Sequence, residues 1–370
     1  MEAKKLGFGL MRLPLTDPND QRSIDIDLTC QMVDAFIERG FTYFDTAWMY
    51  CGHASEDATR KFLVERYPRD AYTLATKLHA AYLKSEDDRD RIFNEQLAKT
   101  GVEYFDYYLL HDLRVSHYQI YKDLNCFDWL RDKKAKGLVK HMGFSFHDTA
   151  EVLDQILTEQ PDMEFVQLQL NYLDWESESV QSRKCYEVAR KHQIPIIVME
   201  PVKGGTLANV PPAVRGLFKS HNAEMSVPSW AIRFVAGLPG VMMVLSGMSN
   251  MEQLLDNTSY MQEFEPLTFD EQKLVHRAAD LIRSEIAIPC TGCAYCVDGC
   301  PMNLAIPQYF ALYNSAKVAK DDTSIGKQYA KLTETFGRAS ECIGCAQCEG
   351  VCPQQLPIVE HLKAVAEAFE

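Results

Sequence analysis

Two stretches of this chain, CTGCAYCVDGCP at 290–301 and CIGCAQCEGVCP at 342–353, repeat one pattern, CxxCxxCxxxCP. They hold eight of the twelve cysteines, while Cys30, Cys51, Cys126 and Cys185 are scattered through the rest. Any fold of the C-terminal quarter must therefore gather thiols. A disulfide-stapled secreted scaffold is short and Cys-dense throughout, whereas thiols confined to ligand spacing point to metal. Structural zinc favours paired CxxC knuckles; three cysteines at steps of three wrap an iron–sulfur cube, and a fourth before proline reaches the neighbouring cube. The spacing predicts two [4Fe-4S] clusters ahead of zinc or reduced thiols. Cys290, Cys293, Cys296 and Cys352 would hold one, and Cys342, Cys345, Cys348 and Cys300 the other. The four scattered cysteines read as small core hydrophobes.

Between the motifs, IPQYFALYNSAKVA and SIGKQYAKLTETF carry apolar residues at three- and four-residue steps, the helical period. The terminal PIVEHLKAVAEAFE is a further amphipathic helix with proline at its start. This region resembles the α-helical type of dicluster ferredoxin found fused to oxidoreductases, rather than the compact β-rich bacterial one. From 285 to 370 it carries 3 Asp and 7 Glu against 5 Lys and 1 Arg. An acidic face suits docking to a basic patch on a redox protein partner, although a solvated surface has the same count.

The first three quarters of the chain alternate short apolar, β-branched or aromatic runs with helical patterns. The runs are LGFGL, TYFDT, YTLATK, DYYLLH, KHMGFS, FVQLQL, PIIVME and VMMVLS; the helices include TCQMVDAFIERG, closed by Gly40, and SVQSRKCYEVARKHQ. Continuous apolar strands separated by helices indicate a parallel sheet covered on both faces, and eight of them suggest closure into a (β/α)8 barrel. A doubly wound sheet would want GxGxxG opening a helix. Gly7 and Gly9 are instead followed by LMRLP, so they read as strand glycines. The expected architecture is α/β: a (β/α)8 TIM barrel over 1–278, then a small, mostly α-helical dicluster ferredoxin-like domain over 279–370.

At 46% hydrophobic and 24% charged residues, 370 residues supply ample core for two such domains. A formal charge of −14 repels phosphate backbones and anionic lipid, which argues against nucleic acid and membrane surfaces as partners. No apolar run approaches a spanning helix, and MEAKKLGFGLMRLP lacks the apolar core of a signal peptide, so a cytoplasmic location is expected.

In barrel enzymes the chemistry gathers at the C-terminal strand ends. Asp45 closes the second strand, with Tyr50 five residues on; Lys77 closes the third strand and His111 the fourth. Any one of them alone reads as a hydrogen-bonded core residue, but four on successive strands mark a site. A lysine beside a tyrosine stabilises phenolate and lowers the phenol pKa from about 10, and an aspartate keeps that lysine charged. GFTYFDTAWMY, LATK, DYYLLHDL and GMSNMEQLLDN together resemble the aldo-keto reductase family. The resemblance implies a small-molecule carbonyl substrate, with Tyr50 as proton donor to the carbonyl oxygen, Lys77 and Asp45 tuning it, and His111 orienting the carbonyl or relaying the proton.

The same resemblance implies a nucleotide at this mouth, NAD(P)H first and flavin as the alternative. Ser145 and Gln169 would hold the nicotinamide, and Asn257 the adenine. Gly204 and Gly205 would let the backbone approach a pyrophosphate, with Lys203 either adding charge or lying in solvent. The match has gaps. Phe146 stands where the family has Asn, Met199 where a Tyr stacks on nicotinamide, and Gly247 and Gln253 where cations grip a 2′-phosphate. The first strand begins within a few residues of Met1, so the family's hairpin plug is lacking, and the barrel bottom is left to side chains or to the extra domain. Trp48, Tyr82 and Trp175 read as a partly apolar pocket or as packing.

Hydride reduction needs no iron, so three readings compete. Nicotinamide-dependent carbonyl reduction with structural or redox-sensing clusters comes first. Clusters feeding single electrons to a bound flavin or substrate from an external donor come second. An electron-transfer subunit on a barrel scaffold comes third, opposed by the intact tetrad.

Overall fold

The computed structural model describes residues 4–18, 20–318 and 324–370. Each of the eight apolar runs forms one strand: β1 Leu6–Gly9, β2 Tyr43–Asp45, β3 Thr73–His79, β4 Phe105–Leu113, β5 Val139–Phe146, β6 Phe165–Gln169, β7 Ile196–Met199 and β8 Val241–Gly247. All neighbours pair in parallel, and β8 closes on β1 through Leu6↔Val244 to Gly9↔Gly247, which makes a closed barrel in sequence order. The helices between the strands explain why no strand alternates polar with apolar: both faces of the sheet are covered.

Inside the barrel, Tyr43, Ala75, Leu109, Phe165, Ile197, Met243 and Leu245 form one buried cluster. Large and small residues interlock there. A Cβ on Gly7 would stand 2.8 Å from Leu245 and 3.0 Å from Tyr43, and one on Gly143 would stand 2.4 Å from the Phe165 carbonyl oxygen. Tyr107 lies 5.3 Å from the Tyr43 ring, 5.1 Å from Phe165 and 4.8 Å from His141, all near the N-terminal strand ends. These rings fill the N-terminal end of the barrel interior.

The first barrel helix, Ile26–Glu38, shows how the local code works. Asp25 accepts the Leu28 N–H as N-cap, and Gly40 takes φ +83° just past the end, a conformation that costs glycine nothing. Met32, Val33 and Phe36 point inward, with Phe36 5.1 Å from Phe41 and 5.5 Å from Phe8.

The chain divides into two compact units. One comprises 1–176, 181–201 and 228–268; the other comprises 177–180, 202–227 and 269–370. The expected boundary at 278/279 falls inside the helix Phe269–Glu285, and the segment following β7 is grouped with the cysteine-rich unit. In that unit the helices Ile306–Val318, Ser324–Leu332 and Ile358–Phe369 pack around Leu304, Tyr309, Phe310, Tyr329, Leu362 and Val365. Residue 319, the last of the expected first helix, lies outside the described residues. The second helix stops at Leu332, four residues short of the expected end. Beyond it the chain must deliver Gly337, whose Cβ would stand 2.4 Å from the Met302 carbonyl oxygen, to a bridge with Leu304. Among the described residues no helix is long and apolar enough to cross a membrane.

Candidate active site and metal centres

At the C-terminal side of the barrel the four expected residues converge. Register sets His79 beside His111, and Lys77 beside Leu109, on β3 and β4. Lys77, 1% exposed, donates to Asp45 Oδ1 at 2.5 Å and to the Thr46 carbonyl at 2.7 Å. Its ammonium lies 4.7 Å from the centre of the Tyr50 ring, and that ring is 5.9 Å from His111. Lys77 and His111 do not close their strands, since β3 and β4 each continue two residues further. Their side chains still reach one place.

The electrostatics differ from the sequence expectation at Tyr50. Burial, followed by the Asp45 and Glu200 charges, pushes its phenol well above 10, the opposite of the lowering expected from the lysine neighbour. The group is a proton donor in waiting rather than a phenolate. Burial likewise raises Asp45 and lowers Lys77, each opposed by the other's charge. His111 is held well below its ordinary value by burial and by the charges of His79 and Lys77, so it is a neutral imidazole. Its Nδ1 is buried with no hydrogen-bond partner among the described residues.

Behind the tetrad lies a buried network that sequence reading missed. Glu56 Oε1 accepts from Thr76 Oγ1 at 2.7 Å and from Gln96 Nε2 at 2.9 Å, and the same Gln96 nitrogen reaches the Lys77 carbonyl at 3.0 Å. Burial pushes the Glu56 carboxyl up to about 7.

Asp112 was missed as well. It adopts φ +57°, strained for a non-glycine residue, and its N–H donates to Ser145 Oγ at 2.8 Å. Arg114 donates to its Oδ1 at 2.7 Å, and His117 Nδ1 donates to its carbonyl at 2.7 Å. His79 Nε2 faces its Oδ2 at 3.6 Å, and the His79 ring is 5.1 Å from His111. His79, Asp112 and His117 have the residue types of a metal triad. However, His79 Nδ1 accepts the Ala81 N–H at 3.1 Å, which leaves its Nε2 protonated, and His117 Nδ1 must be protonated to donate. Both nitrogens facing Asp112 therefore carry hydrogen and have no lone pair for a metal. The only sequence signal was the Asp directly after His111.

The expected nucleotide residues fall into two groups. Ser145 (1% exposed), Gln169 (5%) and Asn257 (5%) are buried in the barrel unit. Gln169 Nε2 donates to Asp174, while Asn257 donates to Ser246 Oγ and accepts from Tyr260. Gln253 Oε1 accepts the Ser249 N–H, and Gly247 lies against Arg12, whose Cβ would be 3.3 Å from an added Cβ. Arg12, on the loop after β1, is thus a cation beside Gly247 that the pattern match did not find. Gly204 and Gly205 instead belong to the cysteine-rich unit. Gly204 takes φ +61°, and a Cβ there would meet the Thr291 carbonyl at 2.4 Å, so close backbone packing accounts for that glycine. Trp48 and Tyr82 meet at 4.7 Å, whereas Trp175 packs on Phe234 and Tyr186.

The eight motif cysteines separate into the two crossed quartets. Cys290, Cys293, Cys296 and Cys352 line one pocket with Ile306, Phe310, Leu356 and Ile358. Cys300, Cys342, Cys345 and Cys348 line another with Leu304, Ile306, Val359 and Leu362. All twelve cysteines are free thiols. The two motif loops share one backbone: φ is +65° at Gly292 and +69° at Gly344, +65° at Ala294 and +56° at Ala346. Such alternation turns successive N–H groups into a concavity suited to anionic sulfur. Burial pushes Cys296 up to about 12 and Cys348 up to about 11, values at which a thiol is inert until a metal deprotonates it. Four thiols, a mostly apolar wall and a repeated backbone of alternating φ sign, with the Gly292 N–H already donating to Cys290 Sγ, fit a [4Fe-4S] cube in each pocket. Of the four scattered cysteines, Cys51, Cys126 and Cys185 are buried, while Cys30 is only half-buried.

A closed parallel barrel with Tyr, Lys, Asp and His at its C-terminal side, followed by a thiol-lined helical module, defines a class of iron–sulfur oxidoreductase. Residues 5–280 match the model of the aldo/keto reductase family, and the chain belongs to that family; residues 289–356 match the 4Fe-4S dicluster domain. The barrel is also similar to solved aldo-keto reductases. That from Klebsiella pneumoniae in complex with NADPH is 18% identical, with 74% of this chain and 90% of that chain covered and a TM-score of 0.59. AKR11C1 from Bacillus halodurans, in its holo form, is 20% identical, with 74% and 91% covered and a TM-score of 0.58. A thermostable aldo-keto reductase in complex with the inhibitor epalrestat is 17% identical, with 74% and 94% covered and a TM-score of 0.58. A search of curated protein sequences finds no match.

Proposed function

We propose that the barrel reduces the carbonyl of a small molecule with NAD(P)H and that the C-terminal module holds two [4Fe-4S] clusters. The reading is carried by the buried Lys77–Asp45 pair beneath Tyr50, with neutral His111 alongside. Tyr50 retains its proton through neutral pH and donates it to the carbonyl oxygen as negative charge develops there. Lys77 stabilises the phenolate left behind, Asp45 keeps Lys77 charged, and His111, uncharged, orients the carbonyl without competing for that charge. Asp112 fixes the tautomer of His79, which packs on His111. When bound, the nicotinamide supplies hydride to the carbonyl carbon; the similarity to the NADPH-bound Klebsiella enzyme supports this choice. Ser145, Gln169 and Asn257 would hold the nucleotide, with Arg12 near its phosphate end. Cys290, Cys293, Cys296 and Cys352 would ligate one cluster and Cys300, Cys342, Cys345 and Cys348 the other, and when bound they carry single electrons.

A second reading, cluster-fed reduction through a bound flavin, is favoured by one observation: the residues expected at a pyrophosphate, Lys203 and Gly204, are committed to the cysteine module.

Tyr50→Phe tests the first reading. Turnover of aldehydes with NADPH should fall at least about 100-fold while NADPH affinity is kept. Unchanged turnover removes Tyr50 from the reaction.

A further inference from the structure

The two cysteine cavities are built from equivalent pieces of chain. Cys300 and Cys352 are each followed, two residues on, by Met302 and Gln354, four on by Leu304 and Leu356, and six on by Ile306 and Ile358. Asn303 and Gln355, three residues on, take φ +51° and +50°. With backbone and apolar wall alike, the differences lie in a few side chains.

One difference is a charge. The chain leaving β7 makes a single turn at Lys203–Gly205, in the same compact unit as the cysteines. Lys203 is 1% exposed, and its ammonium donates to Gln354 Oε1 at 2.7 Å. Gln354 lines the cavity of Cys290, Cys293, Cys296 and Cys352, as does Thr291. Gly204, next to Lys203, touches the Thr291 carbonyl so closely that no Cβ fits. The Lys203 backbone is therefore pressed onto the loop between Cys290 and Cys293, while its head is held two residues beyond Cys352. In the other cavity Met302 stands where Gln354 stands, and Ile343, 65% exposed, stands where Thr291 stands, beside an exposed Cys345.

We infer that Lys203 is the built-in counter-charge of the cluster on Cys290, Cys293, Cys296 and Cys352, and that it raises the reduction potential of that cluster alone. This rests on the two-cluster reading. A cube with four thiolates is a concentrated negative charge that grows by one unit on taking one electron, from dithionite or a one-electron carrier protein, with no proton moved. A buried ammonium stabilises the more negative form, and net charge is one of the levers on cluster potential. A buried ammonium is itself stabilised by facing such a charge. The device makes two cubes on one repeated backbone unequal, with the Lys203 side as the electron sink and the exposed Cys345 side as the point of exchange with a carrier.

The test is an EPR-monitored reductive titration of the full-length protein, purified anaerobically, with the two signals assigned by Cys293→Ser and Cys345→Ser. Lys203→Met should make the Cys290-side cluster at least tenfold harder to reduce, a fall of about 59 mV, and leave the other midpoint unmoved. Lys203→Arg should keep both midpoints. If Lys203→Met loses iron, the decision passes to Lys203→Gln, which keeps a donor for Gln354 and should show the same one-sided fall. Equal shifts at both clusters, or none in iron-replete Lys203→Met or Lys203→Gln, would overturn the assignment alone. Wild-type protein without iron would overturn the cluster reading and the assignment together.

Discussion

In the barrel, Lys77 and Asp45 lie buried against each other at 2.5 Å, Glu56 is met by Thr76 and Gln96, and Tyr43, Tyr107 and Phe165 fill the interior with rings. In the cysteine module, by contrast, the thiols line two pockets whose remaining walls are mostly apolar, with Thr291, Tyr295 and Gln354 in one and Gln347 in the other. The barrel meets most of the polar atoms of its site with protein groups, His111 Nδ1 excepted; the module turns its thiols toward two pockets. On the proposed reading, the first needs no metal to set its side chains, whereas the second would be completed when metal replaces the thiol protons, and binding energy of that kind is also folding energy.

The largest effect that this contrast predicts is a split response to iron removal. Chelation should expose the amides of 289–370 to hydrogen exchange while β1–β8 stay protected. Protection retained equally in both regions would break the contrast. Lys77→Met comes next, because removing one partner of a buried pair leaves an uncompensated charge at Asp45. The barrel should lose about 3–5 kcal/mol by denaturant titration, with iron content unchanged. A loss below about 1 kcal/mol would mean that the pair is not buried in solution.

Glu56→Gln should act in the opposite direction and depend on pH. Folding raises the Glu56 carboxyl from its ordinary value to about 7, so between roughly pH 4.5 and 7 the folded state binds more protons than the unfolded state, and stability is lost as pH rises through that window. The amide removes this cost. The variant should match wild type near pH 4.5 and exceed it by up to about 3 kcal/mol above pH 7, and a pH-independent difference would contradict the assignment. The smallest effect is expected at Trp48, whose ring meets Tyr82 at 4.7 Å. If these rings border the substrate, Trp48→Ala should raise KM for aromatic aldehydes up to about tenfold more than for short aliphatic ones, with iron and kcat little changed, because Trp48 would offer contact surface and no chemistry. Equal effects on both classes would make Trp48 a packing residue.

The contrast also decides what could be read from sequence. The eight strands were legible because a sheet covered on both faces writes itself as unbroken apolar runs such as PIIVME and VMMVLS. That Asp45, Tyr50, Lys77 and His111 come together was legible because they sit in recognisable strand-end contexts, and the crossed grouping of the cysteines because their spacing is that of a cube-binding motif. Conformation and distance hid the rest. Asp112 matters because its φ of +57° turns its backbone toward Ser145 and His117, which its neighbours in LLHDL do not encode. Lys203 meets Gln354 across 151 residues, so a loop expected to face a nucleotide lies with the module instead. The phenol pKa was misjudged because sequence shows the lysine neighbour and not the burial that outweighs it.

The origin of the new hydrogen on the product tests hydride transfer in the barrel most directly. NADPH carrying deuterium at both C4 positions, supplied to anaerobic protein with a panel of aldehydes in ordinary water, should give alcohols with one deuterium on the former carbonyl carbon, and Tyr50→Phe should give almost no product. Alcohol formed at wild-type rates with solvent hydrogen on that carbon would mean that electrons arrive singly through the iron–sulfur module, and the hydride assignment would be wrong.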